Sequence, residues 1–225
     1  CPDSVVQGLY EASVSRNPSS SLRRNREDFI ASREMVDTHG TLNVAKICNY
    51  LNIHSDKDAI FTNGAGNFAI WSGKYLNYSK EHRLLAPQAG AMGAGVPAAL
   101  AAKSIYPNRQ VICFAGDGDF QMSASELGTA MQESLNPIIL IHNNGSYGTI
   151  RMHQEMRYPK RVSGTNLKNP NFKCIAEAYN FGYSKITNLS EFKVAFEKAK
   201  TSDVGFIIEM LADIKDISPG KIIHL

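Results

Sequence analysis

The sequence predicts an α/β protein built on a doubly wound, mostly parallel sheet of about six strands, with helices on both faces. Two short apolar runs rich in β-branched residues, 111–115 and 137–142, each end in turn residues, as fully buried parallel strands do. Between them, residues 123–134 carry apolar side chains at helical spacing, which completes a strand–helix–strand unit. Strand and helix patterns alternate in the same way over residues 41–211, which is typical of this fold class.

The other elements follow in order along the chain. An amphipathic helix comes first, with Val44, Ile47 and Leu51 on one face. Further strands are predicted at residues 59–62, 83–86, 181–187 and 204–210. Further helices are predicted at residues 68–76, 93–106, 147–156 and 190–200. Asn169 and Pro170 resemble a helix cap with proline at the first helical position, and they predict one more helix, ending near residue 179.

Residues 1–40 and 212–225 lie outside this alternation. The first segment is polar and rich in serine and arginine, and it is predicted to be a linker or wrapping arm with one short helix at residues 27–36. Its arginines favour a solvated face over an anion site. No element is predicted for residues 212–225, so the expected domain occupies residues 41–211.

Composition excludes several classes of protein. The chain has 225 residues and a formal net charge of +3, which does not call for nucleic acid or a membrane surface. No apolar run is long enough for a transmembrane helix. The start of the chain has neither an initiator Met nor a signal-peptide pattern, which suggests a fragment or processed piece. The four cysteines form no CxxC pair, so we expect no zinc site, a cytoplasmic location and a buried, apolar role for Cys113.

Polar residues follow the two motif strands where each strand ends. Asp117 lies between Gly116 and Gly118, and Asn144 follows the second strand. Parallel strands end on the same edge of a sheet, where open α/β sheets bind ligands. Carboxylate and amide oxygens, with a backbone carbonyl from the loop after Asn144, suit Mg²⁺, which completes its shell with phosphate oxygens and water. The two glycines also allow the backbone to approach an anion closely.

The spacing of these motifs resembles that of a known cofactor motif. Gly-Asp-Gly at residues 116–118, then 24 residues, then Asn143-Asn144 resembles the thiamine diphosphate motif. Over residues 41–211 the chain is similar to the diphosphate-binding domain of the acetohydroxyacid synthase and 2-oxo-acid decarboxylase superfamily. The resemblance implies thiamine diphosphate and Mg²⁺ as cofactors. It also implies Asp117, Asn144 and the Ser146 carbonyl as the metal ligands.

The resemblance extends to further cofactor contacts. It implies a cofactor-binding set of Ala65, Gly66, Asn67, Phe68, Gly90, Met92, Gly116, Gly118, Asp119, Tyr147 and Gly148. Asp119 stands where many relatives carry Ser, and a second carboxylate beside a diphosphate is repulsive. Its backbone N–H is therefore expected to serve the phosphate while its side chain turns away.

Two of these segments also match other motifs. Residues 64–69 fit the weak dinucleotide fingerprint G-x-G-x-x-A, but no acidic residue ends the next predicted strand, so a nicotinamide site is not favoured. A plain strand-to-helix turn is the remaining alternative for that loop. Residues 117–119 look like the start of a calcium-binding EF-hand loop. Gln121 and Met122 stand where such a loop needs Asp or Asn and then Gly, which excludes it.

Met92 is the candidate catalytic residue. It lies among three glycines at the entrance to a helix, a pattern that by itself more often places a methionine in the core. The segment 87–99 resembles the family's GxMGxGxPAA, in which the large apolar residue wedges beneath the cofactor and bends it. The resemblance implies that the backbone of Gly90 and Met92 binds the pyrimidine ring. The family's catalytic Glu belongs to a separate pyrimidine-binding domain and is not found in this chain.

Three polar side chains near the motifs have open roles. His142, at a strand end, is predicted to be structural. His153 stands where acetohydroxyacid synthases usually carry a Trp that lines the substrate channel, which suggests a more polar or acidic substrate. Arg151 and His153 are candidates to meet a substrate carboxylate, and a surface role for Arg151 is equally open.

Together these features predict half of an active site. The resemblance implies an enzyme that decarboxylates a 2-oxo acid or joins it to an acceptor in an acetolactate synthase-like reaction. Its expected partners are a pyrimidine-binding domain of the same or another chain, a 2-oxo acid and further copies in a homo-oligomer, and this chain alone is expected to be inactive. The alternative is a non-catalytic nucleotide- or phosphate-binding module on a Rossmann-like fold.

Overall fold

The computed structural model describes residues 20–222, which fall into two compact units that divide after Met35. The described part of the first unit contains helix α1 (Ser20–Ser32), which has no buried side chain. The short helix expected at residues 27–36 is thus longer and lies earlier. Leucine, arginine and glutamate all favour helix, so the exposed segment becomes helical without a core to pack on. The predicted arm before residue 20 and the chain after residue 222 lie outside the described residues.

The second unit begins at Val36 and contains all the strands of the described chain. The strands are β1 (Ile60–Asn63), β2 (Arg83–Leu85), β3 (Val111–Gly116), β4 (Ile138–Asn143), β5 (Gly182–Ile186), β6 (Phe206–Leu211), β7 (Asp216–Ser218) and β8 (Lys221–Ile222). The helices are α2 (Val44–His54), α3 (Phe68–Tyr75), α4 (Gly95–Ile105), α5 (Asp117–Gln121), α6 (Leu127–Gln132), α7 (Gly148–Arg157), α8 (Phe172–Ala178) and α9 (Leu189–Lys200).

The first six strands form one sheet in the order β2-β1-β3-β4-β6-β5, and every neighbouring pair is parallel. The predicted six-stranded, doubly wound α/β fold is confirmed. From β1 the chain passes to β2 on one side, whereas β3 lies on the other side of β1 and the later strands continue from it. The strand order therefore reverses between β1 and β3, and the crevice at such a reversal is where this fold class binds ligands.

Helices cover both faces of the sheet, as predicted. Alternate residues of β3 point to opposite faces, so Ile112 and Phe114 join the core under α2, α3 and α9. Cys113 and Ala115 join the second core, under α4, α6 and α8. Cys113 is fully buried, which confirms its predicted apolar environment. Two complete cores on one sheet hold the strand ends in fixed positions.

The chain between β3 and β4 is less regular than predicted. A short helix, α5, begins directly at Asp117, where a glycine turn was expected. The helix expected at residues 123–134 divides into a 3-10 turn (Ala124–Glu126) and the six-residue α6. Serine and glycine have low helix propensity, which is consistent with the short, broken path.

The cap predicted at Asn169 and Pro170 is wrong. Helix α8 begins at Phe172, and its N-cap is Asn171, whose side chain accepts hydrogen bonds from the N–H groups of Lys173 and Cys174. An asparagine at this position satisfies free donors of the first helical turn. The side chain of Asn169 is free to bind elsewhere because it does not serve the helix.

The C-terminal segment, for which no element was predicted, forms an antiparallel hairpin of β7 and β8. Both carboxylate oxygens of Asp216 accept backbone hydrogen bonds, at 2.7 Å from His39 N–H and 2.8 Å from Gly40 N–H. These bonds tie the end of the predicted arm to the hairpin. Within residues 20–222, no helix combines the length and apolar character that crossing a membrane would require.

Candidate functional site

A cavity of about 240 Å³ opens at the carboxyl ends of β1, β3 and β4, beside the strand-order reversal. All the residues predicted from the sequence to bind cofactor or metal line this cavity. They are Ala65, Gly66, Asn67, Phe68, Gly90, Met92, Gly116, Asp117, Gly118, Asp119, Asn144, Ser146, Tyr147 and Gly148. Segments that are distant in the sequence therefore converge on one site, as the ends of parallel strands do in this fold class.

Asp117 is a buried carboxylate of the cavity, with 2% of its surface exposed. Its Oδ2 accepts two hydrogen bonds, at 2.8 Å from Gly145 N–H and 2.7 Å from the side-chain amide of Asn169. Its Oδ1 accepts one, at 2.9 Å from Gly118 N–H. The bond to Gly145 joins the loop after β3 to the loop after β4. It brings the carboxylate and the Asn144 loop together, as the parallel strands predicted.

The loop after β4 presents two more oxygens to the cavity. The Asn144 Oδ1 accepts a hydrogen bond of 3.1 Å from Ser146 N–H, which fixes the side chain in a tight turn. The Ser146 hydroxyl points away and donates to the Thr165 carbonyl at 2.8 Å. Within residues 20–222, the Ser146 carbonyl accepts no hydrogen bond. Its lone pairs are thus available to a ligand.

The charge at Asp117 is costly in the ligand-free chain. Burial raises the pKa of this carboxyl, and the hydrogen bonds from Asn169, Gly118 and Gly145 only partly oppose that effect. A bound cation favours the ionised form of a carboxylate. Among the described residues, no three His, Cys, Asp or Glu side chains form a cluster that could hold a metal. A metal in this cavity must therefore use amide or carbonyl oxygens beside at most two carboxylates, which is a hard-cation set.

Asp119 fixes two loops instead of facing an anion. Its Oδ1 accepts hydrogen bonds from Ala65 N–H at 3.0 Å and from Gly93 N–H at 2.9 Å. The carboxylate therefore joins the loop after β1 to the loop before α4. It lies so close to Gly64 that a Cβ there would be 2.1 Å from a carboxylate oxygen, so this position accepts only glycine. Burial raises the pKa of the Asp119 carboxyl as well.

Aromatic rings fill the space beside the two motif glycines. A Cβ on Gly116 would lie 2.8 Å from the Phe68 ring, and a Cβ on Gly118 would lie 2.6 Å from the Tyr147 ring. These rings occupy the space that a Cβ would need at either glycine, so both positions require glycine. Phe68 and Tyr147 pack against the strand tip and form walls of the cavity.

Met92 is half-buried and lines the cavity in a segment with unusual backbone geometry. Gly90 and Gly93 have φ values of +65° and +80°, in the left-handed region that glycine adopts without steric cost. These two residues turn the chain sharply on either side of Met92. The turns, together with the bond from Gly93 N–H to Asp119, fix the position of the methionine at the cavity wall.

The first turn of α7 also faces the cavity. Gly148, Thr149 and Ile150 line it, and the first backbone hydrogen bond of this helix is donated by Arg151 to the Tyr147 carbonyl. The N–H groups of the three residues before Arg151 precede the ladder of intrahelical bonds, as in any helix. Together with the helix dipole, they make this end of the cavity favourable to an anion.

Several cavity residues were not assigned from the sequence. His142, Thr149, Ile150 and Ile217 line the cavity, and Asn169 contacts Asp117. The position of His142 at a strand end was a usable signal. No sequence signal pointed to Ile217. It reaches the cavity from the C-terminal hairpin, whose strands show no pattern that predicts their pairing.

Burial lowers the pKa of His142 to about 4, so its imidazole is neutral at pH 7. The unfolded chain takes up a proton near pH 6.5, whereas the folded chain does so only near pH 4. Stability is therefore expected to fall as the pH is lowered between these values, by roughly 3 kcal/mol for this group. Urea unfolding at pH 7 and pH 4.5 measures the loss. The variant His142→Gln should lose less stability over the same interval, and an equal loss in both proteins would contradict the assignment.

The structure does not bring Arg151 or His153 to the cavity. Arg151 is buried and pairs with Glu155 at 2.8 Å between Nη2 and Oε1, so it is not the surface residue considered above. Its guanidinium also lies 3.5 Å from the Asn166 side-chain oxygen. His153 is exposed on α7. Neither residue lines the cavity.

The fold and this site define an α/β domain with a polar cavity at its topological switch point. Residues 64–210 match the family described as "Thiamine pyrophosphate enzyme, C-terminal TPP binding domain". The chain belongs to this family, which confirms the resemblance to thiamine diphosphate enzymes, thiamine pyrophosphate being the same cofactor.

Relatives in this family include acetolactate synthases. The chain is 35% identical over 145 residues to the acetolactate synthase large subunit of Porphyra purpurea, covering 64% of this chain and 25% of that protein. It is 30% identical over 158 residues to the acetolactate synthase isozyme 2 large subunit of Escherichia coli K12, covering 69% and 29%. The chain thus spans about a quarter of the length of these relatives.

A solved structure shares the fold. The thiamine diphosphate-dependent 4-hydroxybenzoylformate decarboxylase of Rhodococcus jostii RHA1 superposes with a TM-score of 0.73 at 27% sequence identity. The match covers 80% of this chain and 34% of the decarboxylase chain. The similarity supports the same architecture around the cavity described above.

Proposed function

We propose that this chain binds the diphosphate of thiamine diphosphate through Mg²⁺, as part of an enzyme that acts on a 2-oxo acid. The observation that carries the proposal is the set of three oxygens on two adjacent strand ends, from the Asp117 carboxylate, the Asn144 amide and the Ser146 carbonyl. Carboxylate and neutral oxygens of this kind suit Mg²⁺, whose other positions are filled by phosphate and water.

The remaining walls fit the same cofactor. The free N–H groups at the start of α7 lie on one side of the cavity and suit phosphate oxygens. Met92, held between two left-handed glycines, provides an apolar support for the organic part of the cofactor. Bound thiamine diphosphate would supply the carbanion and the electron sink for the reaction. The role of the residues named here is to bind the cofactor, orient it and hold the metal.

The reaction itself follows from the relatives. Acetolactate synthases and a 4-hydroxybenzoylformate decarboxylase are similar to this chain, which supports decarboxylation of a 2-oxo acid or acetolactate synthase-like carboligation. The cavity of about 240 Å³ is smaller than the roughly 300–1,000 Å³ that encloses a typical ligand. This difference supports a site completed by a pyrimidine-binding domain, from the same chain or another copy in a homo-oligomer, that brings the catalytic Glu.

Ligand titration distinguishes this proposal from a nucleotide-binding module. In calorimetry of the full-length protein, thiamine diphosphate with Mg²⁺ is expected to give saturable heat that EDTA removes, since the metal joins the diphosphate to Asp117. NAD and ATP under the same conditions are expected to give none. Heat with a nucleotide and none with thiamine diphosphate would contradict the proposal. It would favour the non-catalytic alternative.

A further inference from the structure

A chain of side-chain hydrogen bonds begins at a buried carboxylate on β6. Glu209 is only 5% exposed, and its Oε1 accepts a hydrogen bond of 2.6 Å from the side-chain amide of Asn143, at the end of β4. Its Oε2 accepts a hydrogen bond from the Tyr183 hydroxyl on β5. Both oxygens of this carboxylate thus face donors. Neither Glu209 nor Tyr183 lines the cavity.

The chain continues from Asn143 to the metal-binding carboxylate. The Asn143 Oδ1 accepts a hydrogen bond of 2.8 Å from the Asn169 amide, and the same NH₂ group donates to the Asp117 Oδ2 at 2.7 Å. Asn169 is fixed from the other side by Gln121, whose amide donates to the Asn169 Oδ1 at 2.9 Å. Asn169 therefore links the strand ends of β3 and β4 without facing the cavity itself.

The two amides of this chain each have a defined orientation. Both oxygens of Glu209 accept hydrogen bonds, so the NH₂ group of Asn143 faces its Oε1. The oxygen of Asn143 must then face Asn169, which turns the NH₂ group of Asn169 towards that oxygen and towards Asp117. Each amide orientation is thus set by hydrogen-bond complementarity.

We propose that Asn169 is a positioning residue for the metal site, oriented by Glu209 through Asn143, and that it leaves the Asp117 Oδ1 to take the cation. Within residues 20–222, the Oδ2 accepts hydrogen bonds from Asn169 and Gly145, whereas the Oδ1 accepts one from Gly118. The Oδ1 therefore has the greater capacity for a metal. This assignment rests on the proposed function, because it concerns the same Mg²⁺ site.

Hydrogen bonds donated to a metal ligand orient that ligand and affect the affinity of the site for the metal. Replacing Asn169 with alanine is expected to weaken Mg²⁺ binding to the full-length protein by about 10- to 100-fold in the presence of thiamine diphosphate. Asn169→Asp is expected to weaken it at least as much, because it replaces the donor with a second carboxylate. Calorimetric titration of Mg²⁺ into the protein with saturating thiamine diphosphate measures the dissociation constant.

Asn171→Ala is the matched control. It removes the same side chain two residues away, where the amide oxygen caps α8 and does not touch Asp117. This variant is expected to lower the melting temperature but leave the Mg²⁺ dissociation constant within about twofold of the wild type, as a cap effect should. A purely structural role for Asn169 would give it the same result as Asn171.

Glu209→Gln tests the orienting role. This substitution should weaken Mg²⁺ binding when it is made in the wild-type protein. It should weaken binding little further when it is added to Asn169→Ala, because both changes act through the same amide. Fully additive effects, or unchanged Mg²⁺ affinity in folded Asn169→Ala and Asn169→Asp, would overturn the role assigned to Asn169 but leave the proposed function standing. A wild-type protein that binds thiamine diphosphate equally well with EDTA would overturn the proposed function, and the assignment with it.

Discussion

Asp117→Ala is expected to abolish Mg²⁺-dependent binding of thiamine diphosphate by the full-length protein. The variant removes the one carboxylate among the three proposed metal ligands, and the amide of Asn144 and the carbonyl of Ser146 carry no charge to replace it. A hard dication bound by neutral oxygens alone loses most of its electrostatic attraction to the site. We expect the affinity for the cofactor with Mg²⁺ to fall by at least about 100-fold, measured by calorimetry.

The isosteric variant Asp117→Asn separates binding from folding. Burial raises the pKa of the Asp117 carboxyl, so the folded, metal-free protein binds a proton there more tightly than the unfolded chain does. Stability from this group is therefore present at low pH and lost as the pH rises through the raised pKa. The asparagine NH₂ group leaves the Gly118 N–H without an acceptor at any pH. Without metal, the melting temperature of Asp117→Asn relative to the wild type should therefore be higher near pH 7 than in acid.

Asp58→Ala is the control variant, because it removes a carboxylate that lies at the other end of the sheet from the cavity. Asp58 precedes β1, is about half exposed, and pairs with Arg109 at 3.3 Å. Its removal should leave metal-dependent cofactor binding unchanged. If Asp117→Ala kept wild-type affinity that still required Mg²⁺, the proposed metal site would be wrong.

Asp119→Ala is expected to lower both the stability of the protein and its affinity for the cofactor, because it separates two loops. Both Ala65 N–H and Gly93 N–H donate to one oxygen of this carboxylate, and alanine would leave both donors unpaired. An unsatisfied buried donor costs about 1–3 kcal/mol, so we expect the free energy of unfolding to fall by roughly 2–5 kcal/mol. The loops that carry Asn67 and Met92 would separate, and cofactor affinity should fall with them.

Asp119→Asn is the informative comparison. Because both donors meet the same oxygen, the asparagine Oδ1 can accept both bonds while the buried negative charge is removed. We expect this variant to retain its stability and to bind thiamine diphosphate at least as tightly as the wild type. Urea unfolding and calorimetry measure the two quantities. An equal loss in Asp119→Asn and Asp119→Ala would show that charge, and not the link between the loops, is the role of this residue.

Local patterns were enough to predict the sheet and to place Asp117 beside Asn144. Apolar runs predict buried strands, and parallel strands bring their ends together, so Asp117 and Asn144 were expected to be neighbours before any tertiary contact was known. Met92 and the loop after β1 were expected at the cofactor only because of the resemblance to thiamine diphosphate enzymes, and both line the cavity. The family and fold are confirmed by the comparisons.

Long-range side-chain contacts were not predictable in this way. Asn169 and Asn171 are equivalent in local pattern, yet one caps α8 and the other contacts Asp117 across 52 residues of sequence. The side chain of Asp119 was expected to turn away from a diphosphate. No pattern predicted that its carboxylate would accept hydrogen bonds from two separate loops. Ile217 reaches the cavity from the C-terminal hairpin. In each case a partner distant in sequence decides the role, and composition and periodicity carry no information about it.

A crystal structure of the full-length protein with thiamine diphosphate and Mg²⁺ would test the metal site most directly, with Mn²⁺ as an anomalous marker of the cation. We predict one cation about 2.1 Å from the Asp117 Oδ1, the Asn144 Oδ1 and the Ser146 carbonyl, with diphosphate oxygens completing its shell. A diphosphate bound in this cavity without a cation, or a cation held by other residues, would contradict the account.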